Sequence, residues 1–181
     1  QTRIEWLETV IDGTQEALRD GTAQLGIAPV VPPSMTGEPL MTVRFVPVAA
    51  PGHPLHHLGR EITLRDLRRH RHLVVRDTAL RRNRDSNTVD AAQRWTVSAM
   101  ATSIGAASRG LGFAWFPEDK IRQELADGQL KILPLQGGRE RSAPLYLVLP
   151  DPDSAGPGTR RLAAIIREEV ARDCRERDAA R

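Results

Sequence analysis

Cysteine is almost absent from this sequence, in which Cys174 is the only one. A chain with one cysteine forms no internal disulfide and offers no cysteine cluster for zinc, so a reducing cytoplasm is the expected compartment. Lysine is nearly as scarce, because Lys120 and Lys131 are the only two among 26 basic residues. No apolar run reaches the roughly 18 residues that cross a bilayer. The sequence therefore indicates neither a disulfide scaffold nor a transmembrane helix.

Catalytic motifs are missing as well. No Gly-x-Ser-x-Gly elbow occurs. The stretch RGLGFAW holds a Gly-x-Gly pair but lacks the third glycine and the following helix of a dinucleotide-binding loop. Ser98, Ser103 and Ser108 lie on or beside one predicted helix, and no nucleophilic triad can be assembled around them. We predict no catalytic residue, no cofactor and no enzymatic activity.

The overall charge is modest. The formal net charge is +3, with 27% charged and 40% hydrophobic residues among 181, which is too little for nucleic-acid binding on charge alone. The segment from Arg65 to Arg84 is locally basic but contains no aromatic residue on which a base could stack. A solvated face is the simpler interpretation of this segment, and an anion-attracting rim is the alternative.

All five histidines lie in one short part of the chain, at His53, His56, His57, His70 and His72. The motif HPLHH suggests metal ligands, but no acidic residue lies within it. A metal site needs ligands that converge from an ordered frame. We therefore expect solvated loop histidines and no metal site.

Strand and helix patterns alternate along the chain. Apolar runs predict strands at Arg3–Ile11, Ala23–Ala28, Leu40–Ala50, His72–Val75, Arg94–Val97, Gly112–Phe116, Leu130–Leu135 and Leu145–Leu149. Capping residues and helical spacing predict helices that begin at or after Thr14, Thr63, Ser98, Pro117 and Thr159. Lys120 and Glu124 have the spacing of an i,i+4 ion pair on the fourth of these helices. This alternation is typical of an α/β sheet.

Hydroxyl and acidic residues follow several predicted strands. Thr14 follows the first strand, Asp77 and Thr78 follow the fourth, and Ser98 and Thr102 follow the fifth. In open α/β sheets, ligands bind outside the carboxyl ends of the strands, and backbone N–H groups at a helix start attract anions. Ordinary capping is the simpler explanation for each residue alone. Taken together, the residues predict a ligand site built from two α/β halves.

Four stretches in order resemble a known family. They are GTQEALRDGTAQLGIAP, LMTVRFVPVAAPGHPL, WTVSAMATSIGAASRGLGFAWFPEDKIRQELADGQLKILPL and APLYLVLPDPDSAGPGTRRLAAIIREEV. Together they are similar to the effector-binding domain of LysR-type transcriptional regulators, and the resemblance covers nearly the whole chain. The motifs PGHPL and GLGFAWFP carry it most strongly.

The resemblance implies a type II periplasmic-binding-protein-like fold, in which two Rossmann-like α/β subdomains flank a cleft. Subdomain I is expected to hold residues 1–49 and 145–181, and subdomain II residues 50–144. The cleft would bind a small effector. The positions that match the family's effector-binding places are Gly13, Thr14, Ala28, Pro29, Asp77, Thr78, Ala99, Met100, Ala101 and Thr102, and we add Arg76 as a partner for a carboxylate.

The resemblance also implies a function. We expect the effector-sensing and oligomerisation domain of a cytoplasmic, DNA-binding regulator that forms a homodimer or homotetramer and does not act at a membrane. DNA would be bound by a winged helix-turn-helix domain outside this chain. A strand and a helix would precede Arg3, which makes the chain incomplete at its N-terminus. The alternative is a solute-binding protein of a transporter, which shares the fold.

Overall fold

The computed structural model describes residues 3–9, 13–76, 89–137 and 141–179. Five helices and seven strands follow one another in these ranges, and two short 3₁₀ helices lie at Pro54–His57 and Glu118–Lys120. In chain order they are α1 (Gly13–Arg19), β1 (Gly26–Ala28), β2 (Thr36–Ala49), α2 (Leu64–Arg68), β3 (Arg71–Val75), β4 (Gln93–Val97), α3 (Met100–Ser108), β5 (Ala114–Pro117), α4 (Arg122–Ala126), β6 (Lys131–Ile132), β7 (Arg141–Leu149) and α5 (Pro157–Ala179).

The chain forms two compact units. Of the described residues, unit 1 contains 3–9, 13–42 and 143–179, and unit 2 contains 43–76, 89–137 and 141–142. The chain therefore passes from one unit to the other within β2 and again within β7. The predicted subdomain limits, near residues 49 and 145, remain a prediction.

Unit 1 has a small core. Strand β1 pairs antiparallel with β7, with Ala28 opposite Tyr146. Leu18 of α1, Ala28 of β1 and Val148 of β7 form its cluster of buried residues. Helix α1 lies so close to β1 that a Cβ atom on Gly26 would meet Leu18 Cδ1 at 2.9 Å. The same Cβ atom would meet Thr14 Cγ2 at 3.0 Å, so α1 packs along its length against the first residue of β1.

Unit 2 has hydrophobic clusters on both faces of β5. The second half of β2 pairs antiparallel with β5 and β6, while β3 and β4 pair in parallel. Ala114 and Phe116 point into one cluster with Val46 and Ala107, and Phe113 points into the other. The strand alternation therefore places α3 and α2 on opposite sides of β5.

Most of the predicted elements are present, and the exceptions have physical reasons. Residues 3–9 form no strand, and Ile4 and Trp6 are 66% and 77% exposed, because no neighbouring strand pairs with this described segment. The helix predicted after Pro117 is divided by Ile121, whose φ of −125° is not helical. Among the described residues, Lys120 and Glu124 form no ion pair, because the break removes the i,i+4 geometry.

Within the described ranges, no helix combines the length and the apolar character that a membrane crossing requires. The longest helix, α5, carries charged residues throughout its length.

Candidate functional site

The carboxyl ends of two parallel strands meet in unit 2. Val75 at the end of β3 lies opposite Val97 at the end of β4. The backbone N–H of Arg76 then donates to the carbonyl oxygen of Val97 over 2.7 Å. Because the strands are parallel, Arg76 is brought to the edge of the sheet from which α3 begins.

The first turn of α3 is open to solvent. Ala99 is its N-cap residue, with an extended backbone (φ −123°, ψ 140°) and no side-chain cap. Ala101 and Thr102 are exposed, whereas Met100 packs against the core. The N–H groups of a first helical turn have no acceptor within the helix. The start of α3 therefore offers backbone donors and the hydroxyl group of Thr102.

The predicted capping role of Ser98 is wrong. Ser98 lies one residue before the N-cap and supplies no capping hydrogen bond. A side chain at that position is one residue too early to reach the N–H groups of the first turn.

The predicted residues of unit 1 lie around the contact of α1 with β1. Gly13 is buried and begins α1, so Thr14 lies within the helix and is not its N-cap residue. The Thr14 hydroxyl instead lies 2.5 Å from the hydroxyl of Thr9. Ala28 is fully buried in the core, so only its backbone can face a ligand, whereas Pro29 is exposed. Asp77 and Thr78 lie outside the described residues.

The histidine region is folded more tightly than expected. His53 and His72 are only 6% and 5% exposed, so the prediction of solvated loop histidines is wrong for both. Burial, followed by the nearby His70 and His56, lowers the pKa of His53 to about 4. Its Nδ1 atom accepts the backbone N–H of Leu55 and caps the 3₁₀ helix. In the described part of the chain, no three metal-ligating side chains converge.

His72 belongs to an aromatic cluster that no sequence pattern indicated. Its ring stacks on Phe113 at a centroid distance of 4.9 Å and meets Trp115 edge-on at 5.5 Å. The guanidinium of Arg141 lies 4.5 Å from the Trp115 ring centre. Burial, then Arg94 and Arg141, lowers the pKa of His72 to about 4.

One residue of the basic segment, Arg71, contacts an aromatic ring. Arg71 places its guanidinium 4.1 Å from the ring centre of Trp95 and donates to the Leu111 carbonyl and to Gln93 Oε1, over 3.0 Å each. The parallel pairing of β3 with β4 supplies the aromatic residue that this segment lacks in sequence. The interpretation as a solvated face is therefore wrong for Arg71.

The described residues place one exposed helix start, that of α3, beside the carboxyl ends of two parallel strands in an α/β architecture, and they contain no catalytic constellation. These features define a ligand-binding domain with a type II periplasmic-binding-protein-like fold. Residues 1–171 match the LysR substrate binding domain family. The chain belongs to this family, and the membership confirms both the predicted fold class and the expectation that the chain is not an enzyme.

Relatives and solved structures agree with this membership. The probable HTH-type transcriptional regulator YhaJ of Escherichia coli K12 is 31% identical over 139 residues, which cover 73% of this chain and 46% of YhaJ. The chain therefore spans about half the length of this relative. The crystal structure of ArgP from Mycobacterium tuberculosis superposes with a TM-score of 0.69 at 22% identity, over 88% of this chain and 55% of ArgP. The effector binding domain of QuiR in complex with shikimate superposes with a TM-score of 0.64 at 20% identity, over 87% of this chain and 77% of the QuiR chain.

Proposed function

We propose that this chain is the effector-sensing domain of a cytoplasmic, DNA-binding LysR-type transcriptional regulator. The observation that carries the proposal is the family match, which runs through 1–171 and so includes both units. A small-molecule effector is the ligand class, since the related domain of QuiR holds shikimate. DNA binding belongs to a winged helix-turn-helix domain outside this chain, which agrees with the name of YhaJ as an HTH-type regulator.

The effector residues we propose lie in both units. In unit 1 they are Gly13, Thr14, Ala28 and Pro29, and in unit 2 they are Arg76, Ala99, Met100, Ala101 and Thr102, joined by Asp77 and Thr78 from the sequence. The exposed first turn of α3 and the adjacent Arg76 support an acidic effector, because backbone donors and a guanidinium both favour a carboxylate. Ala28 contributes through its backbone.

Signalling requires a second state. An effector shifts a conformational equilibrium only by its difference in affinity for the two states. We propose that effector binding changes the relative stability of two arrangements of a homodimer or homotetramer. The segment Arg3–Ile11, the helix Gln15–Arg19 and α5 are the surfaces proposed for self-association.

The alternative function is a solute-binding protein of a transporter. The family match and the regulator YhaJ both favour the regulator. A helix-turn-helix encoded upstream of Gln1 would agree with the regulator, and a lipoprotein or signal segment would favour the transporter.

A thermal-shift screen of small organic acids against the full-length protein tests the proposal. For an acid that stabilises the wild type, the Thr14→Val and Thr102→Val double variant is expected to lose roughly 1–3 kcal/mol of binding free energy. Thr9→Val is a matched control, because it removes the hydroxyl that contacts Thr14 and leaves Thr14 itself in place. Unchanged affinity in the double variant would contradict these effector residues.

A further inference from the structure

Helix α2 and its C-cap residue carry a row of exposed arginines on unit 2. Arg65, Arg68 and Arg69 are exposed, and the last two follow the first by three and four residues. Side chains at this spacing share one side of a helix, with Cβ atoms roughly 5–6 Å apart. Leu67 is fully buried in the hydrophobic cluster beneath α2. We call the three residues Arg65, Arg68 and Arg69 the arginine face.

The acidic residue of α2 does not neutralise the arginine face. The Asp66 carboxylate accepts hydrogen bonds from the Arg60 guanidinium over 2.7 and 3.0 Å and accepts the backbone N–H of Thr63 over 2.8 Å. Its side chain is only 12% exposed. Within the described ranges, the three side chains of the arginine face form no ion pair and no side-chain hydrogen bond. Their charges are therefore available to a partner.

The surroundings of the arginine face are positive as well. Residues 60–71 contain five arginines and two acidic residues, so this short segment has a net charge of +3, which equals the formal charge of the whole chain. Burial lowers the pKa of His53, and the charged groups that lower it further, His70 and His56, are both cationic. The pKa of His56 is likewise lowered first by burial and then by cations that include Lys131. This side of unit 2 therefore attracts anions.

The arginine face lies at the end of unit 2 opposite to the effector residues proposed for that unit. Strand β3 begins at Arg71, three residues after the end of α2, and ends at Val75, next to Arg76. The strand separates the two ends by about 16 Å. The backbone N–H of Ala92 donates to the Arg68 carbonyl oxygen over 2.8 Å, which holds the start of β4 beside α2. A partner on the arginine face therefore leaves the carboxyl ends of β3 and β4 open.

We infer that the arginine face is a contact surface for the phosphate backbone of duplex DNA in the full-length regulator. Guanidinium groups bind phosphate oxygens through paired hydrogen bonds. The phosphates of one strand form a row with a rise of about 3.4 Å, along which three arginines can reach neighbouring phosphates. Residues 60–71 contain no Phe, Tyr or Trp, so the bases of a single strand find no stacking platform there. The contact reads no sequence, because phosphates carry none.

The inference rests on the proposed function, because that function places DNA on another domain of the same molecule. Contacts to phosphates alone are weak, with dissociation constants of roughly 10⁻⁴–10⁻⁶ M for non-specific binding. A duplex already held by the helix-turn-helix domain is present at an effective concentration on the order of 1 mM, which is sufficient to occupy such a surface. The arginine face would then raise the affinity of the whole regulator for DNA without changing its choice of operator.

The test is a titration of a fluorescein-labelled duplex of about 30 base pairs with the 181-residue chain, followed by fluorescence anisotropy. We expect a dissociation constant on the order of 100 µM at about 50 mM salt. Three phosphate contacts predict a slope of about −2.7 for the logarithm of the association constant against that of salt, or about fortyfold weaker binding at 200 mM salt. Poly-L-glutamate, as an acidic polypeptide, should compete at least about tenfold less well than unlabelled duplex, because its charge density is lower.

A triple variant locates the contact. Replacement of Arg65, Arg68 and Arg69 by glutamine should weaken DNA binding by about tenfold or more and bring the salt slope close to zero. Each single replacement should reduce the slope by about 1. Glutamine is a good helix former, so α2 is expected to remain intact, and circular dichroism checks this.

A matched control removes three other exposed arginines. Arg122→Gln, Arg161→Gln and Arg175→Gln lie on α4 and α5, and this variant has the same net charge as the first. It should keep both the affinity and the salt slope of the wild type, and gel filtration compares the association states of all three proteins. An organic acid that stabilises the wild type should stabilise the variant of the arginine face equally, because the proposed effector residues are unchanged.

Three results would overturn the inference. The first is a wild-type chain that does not bind the duplex up to about 1 mM, tenfold above the expected constant. The second is an equal loss of binding in the control, which would reduce the effect to overall charge. The third is competition by poly-L-glutamate as strong as that by duplex, which would point to an acidic protein partner. None of these results affects effector binding, so failure of this inference is distinguishable from failure of the proposed function.

Discussion

The backbone of Gly112 approaches that of Arg71 so closely that a Cβ atom on Gly112 would lie 2.5 Å from the Arg71 carbonyl oxygen. The same carbonyl accepts the N–H of Phe113 over 3.0 Å, and Leu73 donates back to the Phe113 carbonyl over 2.9 Å. Because residue 112 is a glycine, β3 can form these backbone hydrogen bonds with Phe113, the residue directly before β5.

Gly112→Ala is expected to destabilise unit 2 by about 1–3 kcal/mol, since a methyl group at this contact forces the backbone apart. Urea unfolding followed by circular dichroism measures the change. Gly52→Ala is the matched control, because a Cβ atom on Gly52 meets nothing within 4 Å. Equal stability of the two variants would mean that the contact between Gly112 and Arg71 is looser than described.

Thr63→Ala is expected to lower the free energy of unfolding by about 1 kcal/mol. Thr63 caps α2 by accepting the N–H of Asp66, and the Asp66 carboxylate accepts the Thr63 N–H in return. Thr63→Ser keeps the capping oxygen and should retain most of the stability, and chemical denaturation compares the variants. If alanine and serine behaved alike, the cap would contribute nothing.

Stability is expected to fall as the pH drops from 7 towards 4, because His72 resists protonation in the folded protein. Its folded pKa is about 4, lowered by burial and by Arg94 and Arg141, whereas an unfolded histidine titrates near 6.5. The unfolded state therefore binds the proton first as the pH falls. His72 alone accounts for a loss of about 2 kcal/mol at pH 5 and for none above about pH 7.

The His72→Phe variant isolates this effect when its free energy of unfolding is compared with that of the wild type at pH 7 and at pH 5. Phenylalanine can preserve the stacking on Phe113, whose ring lies within 5° of parallel to that of His72. The variant should lose less stability than the wild type over this interval. The pKa of the buried His53 is also lowered, and His53 is present in both proteins, so its contribution cancels in the comparison. If the free energy of unfolding depended on pH identically in the variant and the wild type, His72 would be accessible to protons in the folded protein.

Unit 1 is expected to open more readily than unit 2 in native-state hydrogen exchange. Its described cluster of packed buried residues has three members, whereas each of the two clusters in unit 2 has eight. Local opening free energies follow the extent of buried apolar packing. Mass spectrometry should find faster exchange in α1 and β1 than in β5, and a reversed order would contradict this expectation.

The elements that could be predicted from the sequence are those with local signals. Thr63 caps α2, and Gly110 and Gly128 adopt positive φ values of 76° and 70° just beyond α3 and α4. Glycine reaches this conformation without steric cost, so it marks helix ends reliably. The alternation of apolar runs likewise predicted β2, β3 and β4.

The features that could not be predicted depend on pairing between distant segments. The contact of Arg71 with Trp95 exists because β3 and β4 lie in parallel register, which no local pattern reveals. His72 is buried because Trp115 of β5 and Phe113, the residue directly before β5, pack against its ring. The residues of the proposed effector site follow from the family resemblance and not from a local pattern.

The scarcity of lysine gives unit 2 a chemical handle. Lys120 lies in the 3₁₀ helix that precedes α4, and Lys131 on β6 is the only other primary amine carried by a side chain. An amine-selective acylating reagent would therefore modify at most two lysine side chains, and both belong to unit 2. The ratio of labelling at Lys120 to labelling at Lys131 would then report a change in the surroundings of either side chain without any knowledge of the natural ligand.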